Sequence, residues 1–261
     1  MSERAEKLGL FNPDILELVL SKLQTRDLLR MKCVSRSWRD LIRNRSFALR
    51  HSRQRPPPLS GFLFQKNLGW TGLDVSDVSY ILAERKEEEL PRLLNNIVDS
   101  IPADLMMVSS CNGLICGTRC SFQNDTLAIR VGNPLTREGF HFDWKRCGGR
   151  VIAVGLAFDP CHDLTNNSTN FKVVLVQEEA GSDGNVWLAF HVYSSETGTW
   201  RLSDVNDGFL LLNVSGAIYL LNTRDGGFRR IADVAAFGTK DEPLSGVVLP
   251  YSMSLVPLNR P

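Results

Sequence analysis

Apolar positions from Phe11 to Ile42 recur at helical spacing. Ile15, Val19 and Leu23 form one stripe, and Leu16 and Leu20 a neighbouring one. With Leu18 they cover most of a helix circumference, more than a helix lying on one core can use. Asn12 is placed to cap this helix, Pro13 suits its first position because a missing N–H costs nothing there, and Asp14 puts negative charge at the positive end of the dipole. A second helix is predicted from a Thr25 cap, with Asp27 in its first turn and Leu28, Leu29, Met31 and Val34 as its apolar face. Ser35 can cap a third, whose Trp38, Leu41 and Ile42 fall at spacings 0, 3 and 4. The connections are two or three residues long, so the helices must cross steeply. So small a unit cannot bury this much apolar surface alone, which implies a partner.

After about Ile101 the period changes. Short apolar runs alternate with turn residues: Leu105–Val108, Gly113–Gly117, Leu127–Val131, Phe140–Trp144, Val151–Phe158, Phe171–Val176, Val186–Tyr193 and Trp200–Leu202. Asn112-Gly113 is a two-residue hairpin signal, since both positions tolerate positive φ. Asn133-Pro134 begins a turn that Thr136-Arg137 completes. Tyr193 and Trp200 flank a tight turn and can pack across their hairpin. Gly181–Gly184, Thr197-Gly198 and Asp225-Gly226-Gly227 are further turns. Strands this closely spaced, without helical crossovers, predict antiparallel sheets. Between the halves, Pro56-Pro57-Pro58 favours a stiff spacer, 61–71 is aromatic and mixed, and 77–94 reads as partly helical, with a solvated charged run at 84–89 and a break at Pro91. The organisation expected is a helical domain over 8–52, a linker and connector over 53–100 and a β-domain over 101–261.

Charge is unevenly shared. Through Arg55 there are 13 Lys and Arg against 6 Asp and Glu, a net of +7, and the remainder holds 17 against 23, a net of −6. A basic three-helix head could read DNA, but Arg30, Arg36, Arg39 and Arg43 do not gather on one acid-free helix, and no base-reading Asn or Gln pattern appears. No apolar run approaches 18 residues, and the first residues carry acids without an apolar core, so neither a membrane span nor a secretory signal is expected. Cytosol or nucleus is the expected compartment. There the Asn-x-Ser/Thr triplets at Asn167 and Asn213 go unmodified, and Cys33, Cys111, Cys116, Cys120, Cys147 and Cys161 read as buried free thiols. Cys111, Cys116 and Cys120 lack the two-residue spacing of a zinc knuckle, and no metal or other cofactor is expected.

The helical head resembles the F-box. Asp14-Ile15-Leu16, Leu23, Leu28-Leu29, Cys33-Val34-Ser35-Arg36 and Trp38 follow that motif in order, while Asn12 and Gln24 stand where the family usually has proline, Pro13 is shifted by one and Phe11 replaces the usual Leu. The resemblance implies docking on the Skp-type adaptor of a cullin–RING ubiquitin ligase. Phe11, Pro13, Asp14, Ile15, Leu16, Val19, Leu20, Leu23, Leu28, Leu29, Val34, Trp38 and Leu41 are then the adaptor-binding residues.

The second half resembles the F-box-associated domain that follows F-boxes in large plant families. Ser110–Cys116, Gly132–Glu138, Gly155–Pro160, Asn170–Val174 and Val192–Arg201 carry the resemblance, and Val214–Tyr219 matches more loosely. It implies a kelch-like propeller that binds a target protein. The fold class expected is α+β multidomain: a small three-helix F-box, then an antiparallel all-β, propeller-like domain. Residues 101–261, 161 in number, hold roughly three or four blades at about 50 residues each, so a shortened, partly open propeller is expected.

Catalytic signatures are absent: no Gly-x-Ser-x-Gly, Gly-x-Gly-x-x-Gly, phosphate-binding loop or His-Glu-x-x-His occurs, and His51, His141, His162 and His191 lie far apart. The expected role is therefore a non-catalytic ligase subunit that holds its target near the conjugating machinery. The alternative is a β-propeller binder of ligands such as glycans, with no ligase role.

Overall fold

A computed structural model describes residues 12–54, 58–66, 78–82, 97–102, 104–121, 126–145, 149–158, 169–180, 186–202, 209–214, 217–222, 228–233 and 246–258. Among the described residues the head contains four helices rather than three: α1 (Pro13–Ser21), α2 (Thr25–Met31), α3 (Arg36–Arg43) and α4 (Arg45–Gln54). The first cap is as expected, with Asn12 Oδ1 accepting from Asp14 N at 2.9 Å. So is the third, with Ser35 Oγ accepting from Trp38 N at 3.2 Å. Thr25 is not the second cap. Gln24 takes that place without a side-chain bond, and Thr25 is buried as the first helical residue. The additional helix starts where Asn44 Oδ1 accepts from Ser46 N (2.8 Å) and Phe47 N (3.3 Å). Phe47, Ala48 and Leu49 give it a buried face. Leu20, Leu28, Ile42, Phe47 and Ala48 form the core of the head.

Fourteen strands in four antiparallel sheets make up the described part of the remainder. Sheet A joins β1 (Gly61–Lys66), β2 (Val78–Leu82) and β14 (Gly246–Tyr251) in the order β14-β1-β2. Sheet B is the meander β3 (Met106–Cys111), β4 (Leu114–Ser121), β5 (Thr126–Asn133), β6 (Glu138–Lys145). Sheet C contains β7 (Arg150–Phe158), β8 (Phe171–Ala180), β9 (Val186–Ser194) and β10 (Thr199–Leu202). Sheet D contains β11 (Phe209–Val214), β12 (Ala217–Asn222) and β13 (Phe228–Asp233). All eight strands expected between 105 and 202 are present. The partly helical reading is corrected over 78–82: Val78–Leu82 is a strand, because Gln65 to Gly61 pair along it in register. The run at 84–94, the turns at 181–184 and 225–227, and Pro56-Pro57 lie outside the described residues.

β14 packs along β3, β3 along β7, and β7 along β11, so one edge strand of each sheet lies beside that of the next, as the inner strands of successive propeller blades do. β14 pairs with β1 from Gly61↔Tyr251 to Lys66↔Gly246. The apolar run near residue 250 is thus a strand of the first sheet. Adjacent sheets are riveted by side-chain hydrogen bonds. The buried Gln65 amide donates to Leu105 O and accepts from Met107 N, both at 2.7 Å, joining sheets A and B. Asn112 Nδ2 donates to Phe158 O at 2.8 Å, joining B and C. Aromatic rings fill the outer B–C seam: Phe142 stacks on Tyr193 with centroids 4.0 Å apart, and Tyr193 lies 5.4 Å from Trp200 across its hairpin.

The expected turns take the predicted forms. Asn112 (φ 46°) and Gly113 (φ 92°) both occupy the left-handed region between β3 and β4. Between β5 and β6, Asn133 Oδ1 accepts from Leu135 N (3.0 Å), and Arg137 N donates to Asn133 O (2.9 Å). Beyond β14, Ser252–Leu258 has no regular secondary structure and joins no sheet, and Met253, Ser254, Leu255, Val256 and Leu258 are all buried along it.

Candidate docking surface of the helical head

Helix α1 divides its apolar residues between two tasks. Leu20 is fully buried among Leu28, Ile42 and Phe47. Leu16 and Leu23 pack at the edge of that cluster. On the other side Ile15 (58% exposed), Leu18 (60%) and Val19 (53%) stand in solvent. Their spacing of three and four residues puts them on one face of the helix. Val34, 55% exposed, adds a further apolar side chain in the turn between α2 and α3. Covering such side chains would contribute on the order of 1 kcal/mol each.

The sequence-predicted residues therefore separate. Pro13, Asp14, Ile15, Val19 and Val34 are exposed. Leu16, Leu23, Leu29, Trp38 and Leu41 are half-buried at the rim of the head core, while Leu20 and Leu28 lie inside it. Leu20 and Leu28 thus shape the surface from within rather than form it. Phe11 lies outside the described residues. Leu18, not among the residues named from the sequence, lies on the same exposed face, and its spacing of three from Ile15 was a readable signal.

Cations flank this part of the head. Arg36, Arg39 and Arg43 on α3 are exposed. The Lys32 ammonium is pushed below its ordinary range by burial and by the nearby Arg43. Arg30 pairs with Asp27 at 3.6 Å along α2, and Arg50 of α4 pairs with Glu17 of α1, tying the first helix to the fourth. Such exposed pairs contribute little to stability.

The β-domain offers less. A cleft lined by Ile101, Leu105, Ile115, Arg130, Arg137 and Glu138 has a volume of about 20 Å³, room for little more than one water. Among the described residues, no three His, Cys, Asp or Glu side chains come together in a way that could hold a metal ion. Cys116 is buried, Cys111 is half-buried with its thiol 3.2 Å from Phe158 O, and Cys33 is exposed, so the expectation of a buried thiol fails at Cys33. Cys147 and Cys161 lie outside the described residues.

A small capped helical head with an exposed apolar face, joined to successive antiparallel sheets with neighbouring inner strands, defines an F-box head on a β-propeller-like domain. Residues 9–50 match the F-box domain, and 81–226, more than half of the chain, match the family described as "F-box protein At3g26010-like, beta-propeller". The chain belongs to that family. Among its relatives in Arabidopsis thaliana, "F-box protein At5g07610" is 29% identical over 199 residues, covering 72% of this chain and 44% of the relative. "Putative F-box protein At3g16210" is 27% identical over 198 residues, covering 73% and 46%. "F-box/kelch-repeat protein At3g61590" is 25% identical over 221 residues, covering 77% and 47%. The chain thus spans a little under half the length of these relatives.

Proposed function

We propose that this chain is the target-recognition subunit of an SCF-type cullin–RING ubiquitin ligase. The exposed face of α1 docks on a Skp-type adaptor, and the β-domain binds the protein to be modified. The observation that carries this reading is the solvent-exposed set Ile15, Leu18, Val19 and Val34 on a head whose other apolar residues are well packed. Patches of this kind on small domains mark protein contacts. The chain itself performs no reaction; it supplies proximity, in cytosol or nucleus.

Strand direction supports a division of the β-domain into two ends. The β3–β4 and β5–β6 turns lie at the end from which the 252–258 segment and the head extend, since Gly113 lies against Ser252 and Ser254, and Leu135 against the head core. The paired strand ends Ser121↔Thr126 of β4 and β5 and Ala180↔Val186 of β8 and β9 lie at the opposite end, where a target would have room. We also infer that the sheets form a partly open arc, because among the described residues no packing comparable to β14–β3 joins β11 to β14. An open arc leaves strand edges that associate as concentration rises. A sharp monomeric melt without association in analytical ultracentrifugation would count against this inference.

The adaptor test is direct capture. Wild-type chain should bind a purified Skp-type adaptor, and Ile15→Asp with Leu18→Asp should abolish binding while circular dichroism stays native. Absence of binding by the folded wild type would overturn the proposal. Proteins enriched with the chain under proteasome block would then identify targets.

A further inference from the structure

No helix packs broadly on a strand among the described residues. The head and sheets are nevertheless joined, by Leu29 and Leu135, which pack against both the head core and the cluster between sheets A and B, and by the segment Ser252–Leu258. Its side chains divide among three cores. Met253 enters the cluster between sheets A and B, Leu255 enters the head beside Leu20 and Phe47, and Val256 enters the cluster of sheets B and C. Its backbone is held by side chains from both bodies. Asn133 Nδ2 donates to Ser254 O and Val256 O, each at 2.9 Å. Glu138 Oε2 accepts from Leu258 N at 2.7 Å, and the guanidinium of Arg45, at the start of α4, donates to Leu258 O at 3.3 and 3.4 Å.

The head has reason to need this. At about 40 residues a helical unit is near the size below which a core seldom suffices without a staple. Leu255 is the buried residue of the head core that does not come from the head itself. Asn133 is buried, and its amide is spent on a segment more than a hundred residues away, a costly group to leave unpaired and hence a specific one.

We propose that Ser252–Leu258 is an interdomain strap. It completes the core of the head and fixes the bearing of the α1 docking face relative to the sheets, so the two bodies move as one. The inference holds whatever partner docks on α1, and its test needs no adaptor.

The experiment is hydrogen exchange followed by mass spectrometry on the 261-residue chain and on two variants, Leu255→Ala and Asn133→Ala. Leu255→Ala should speed exchange in α1–α4 by at least about tenfold while β4, β5, β8 and β9 keep wild-type protection. Asn133→Ala, which frees the strap and also loosens the turn that carries Leu135 while leaving Leu255 in place, should do the same to a lesser extent. Unchanged protection of the helices in both variants would overturn the proposal. Equal loss across helices and sheets in both variants would also overturn it, since the segment would then be a shared core rather than a strap.

Discussion

At Gly113 two demands meet. Its φ of 92° is one that side-chain-bearing residues rarely adopt, and an added Cβ would lie 2.4 Å from Ser254 Cβ and 3.0 Å from Ser252 O. Gly113→Ala should therefore cost about 1–3 kcal/mol, read as a lower urea midpoint at unchanged slope. Gly155→Ala is the control. Nothing lies within 4 Å of its added Cβ, and in a strand the change should be neutral or stabilise by up to about 1 kcal/mol. The buried ionisable groups set the alkaline limit. Burial pushes the Cys116 thiol up to about 12, and burial pushes Tyr80 to about 12 against the opposing Arg26 charge. Tyr251 is raised by burial and by Tyr80. Because each ionises more readily in the unfolded chain, their contribution is complete below the ordinary thiol pKa of about 8.5 and drains away as pH climbs toward 12. Urea midpoints measured at neutral pH and at pH values in that window should fall; a flat profile would contradict the assignment. Native alkylation should label Cys33 and spare Cys116.

Helix α1 shows how one stripe of leucines serves two ends. Leu20→Ala should destabilise the fold by about 2–5 kcal/mol, because its neighbours cannot close the cavity. Ile15→Ala, on the exposed face, should change thermal stability by no more than about 0.5 kcal/mol. The comparison needs only melting curves. It also marks what could be read in advance. The strands from β3 to β10 were legible because alternation and turn residues such as Asn112-Gly113 are local signals. So were the caps at Asn12 and Ser35. β1 and β2 were not: β1 is short and pairs with β14, whose partner residues lie at the far end of the sequence, and no local pattern encodes such a pairing. Helix α4 was hidden by its Arg, Ser and His content, although Asn44 and Phe47-Ala48-Leu49 were there to be read. At the candidate site, residue types were legible but their direction was not. Ile15 and Leu20 are equally apolar, and which of them faces inward depends on where α4 and Leu255 come to lie.

In the molecule as a whole, strand β14 is the piece on which the most depends. It completes sheet A, lies along β3, and leads into the strap. Leu249→Asp would place an unpaired charge at a position only 6% exposed. The expected outcome is loss of cooperative folding rather than local fraying, seen as collapse of the near-ultraviolet circular dichroism; a variant that kept a native spectrum and merely lost a few degrees of stability would refute the central place given to this strand. The pairing of Gly61 with Tyr251 has a further consequence, in time. Translation proceeds at roughly 5–20 residues per second, so β1 leaves the ribosome about 10–40 s before its partner exists. Throughout that interval Leu63 lacks Leu249, and the helices lack Leu255, although the apolar face of α1 has already been made. A nascent chain thus shows the exposed apolar face of α1 before sheet A and the head core can be completed, and must be kept from sticky company until β14 arrives.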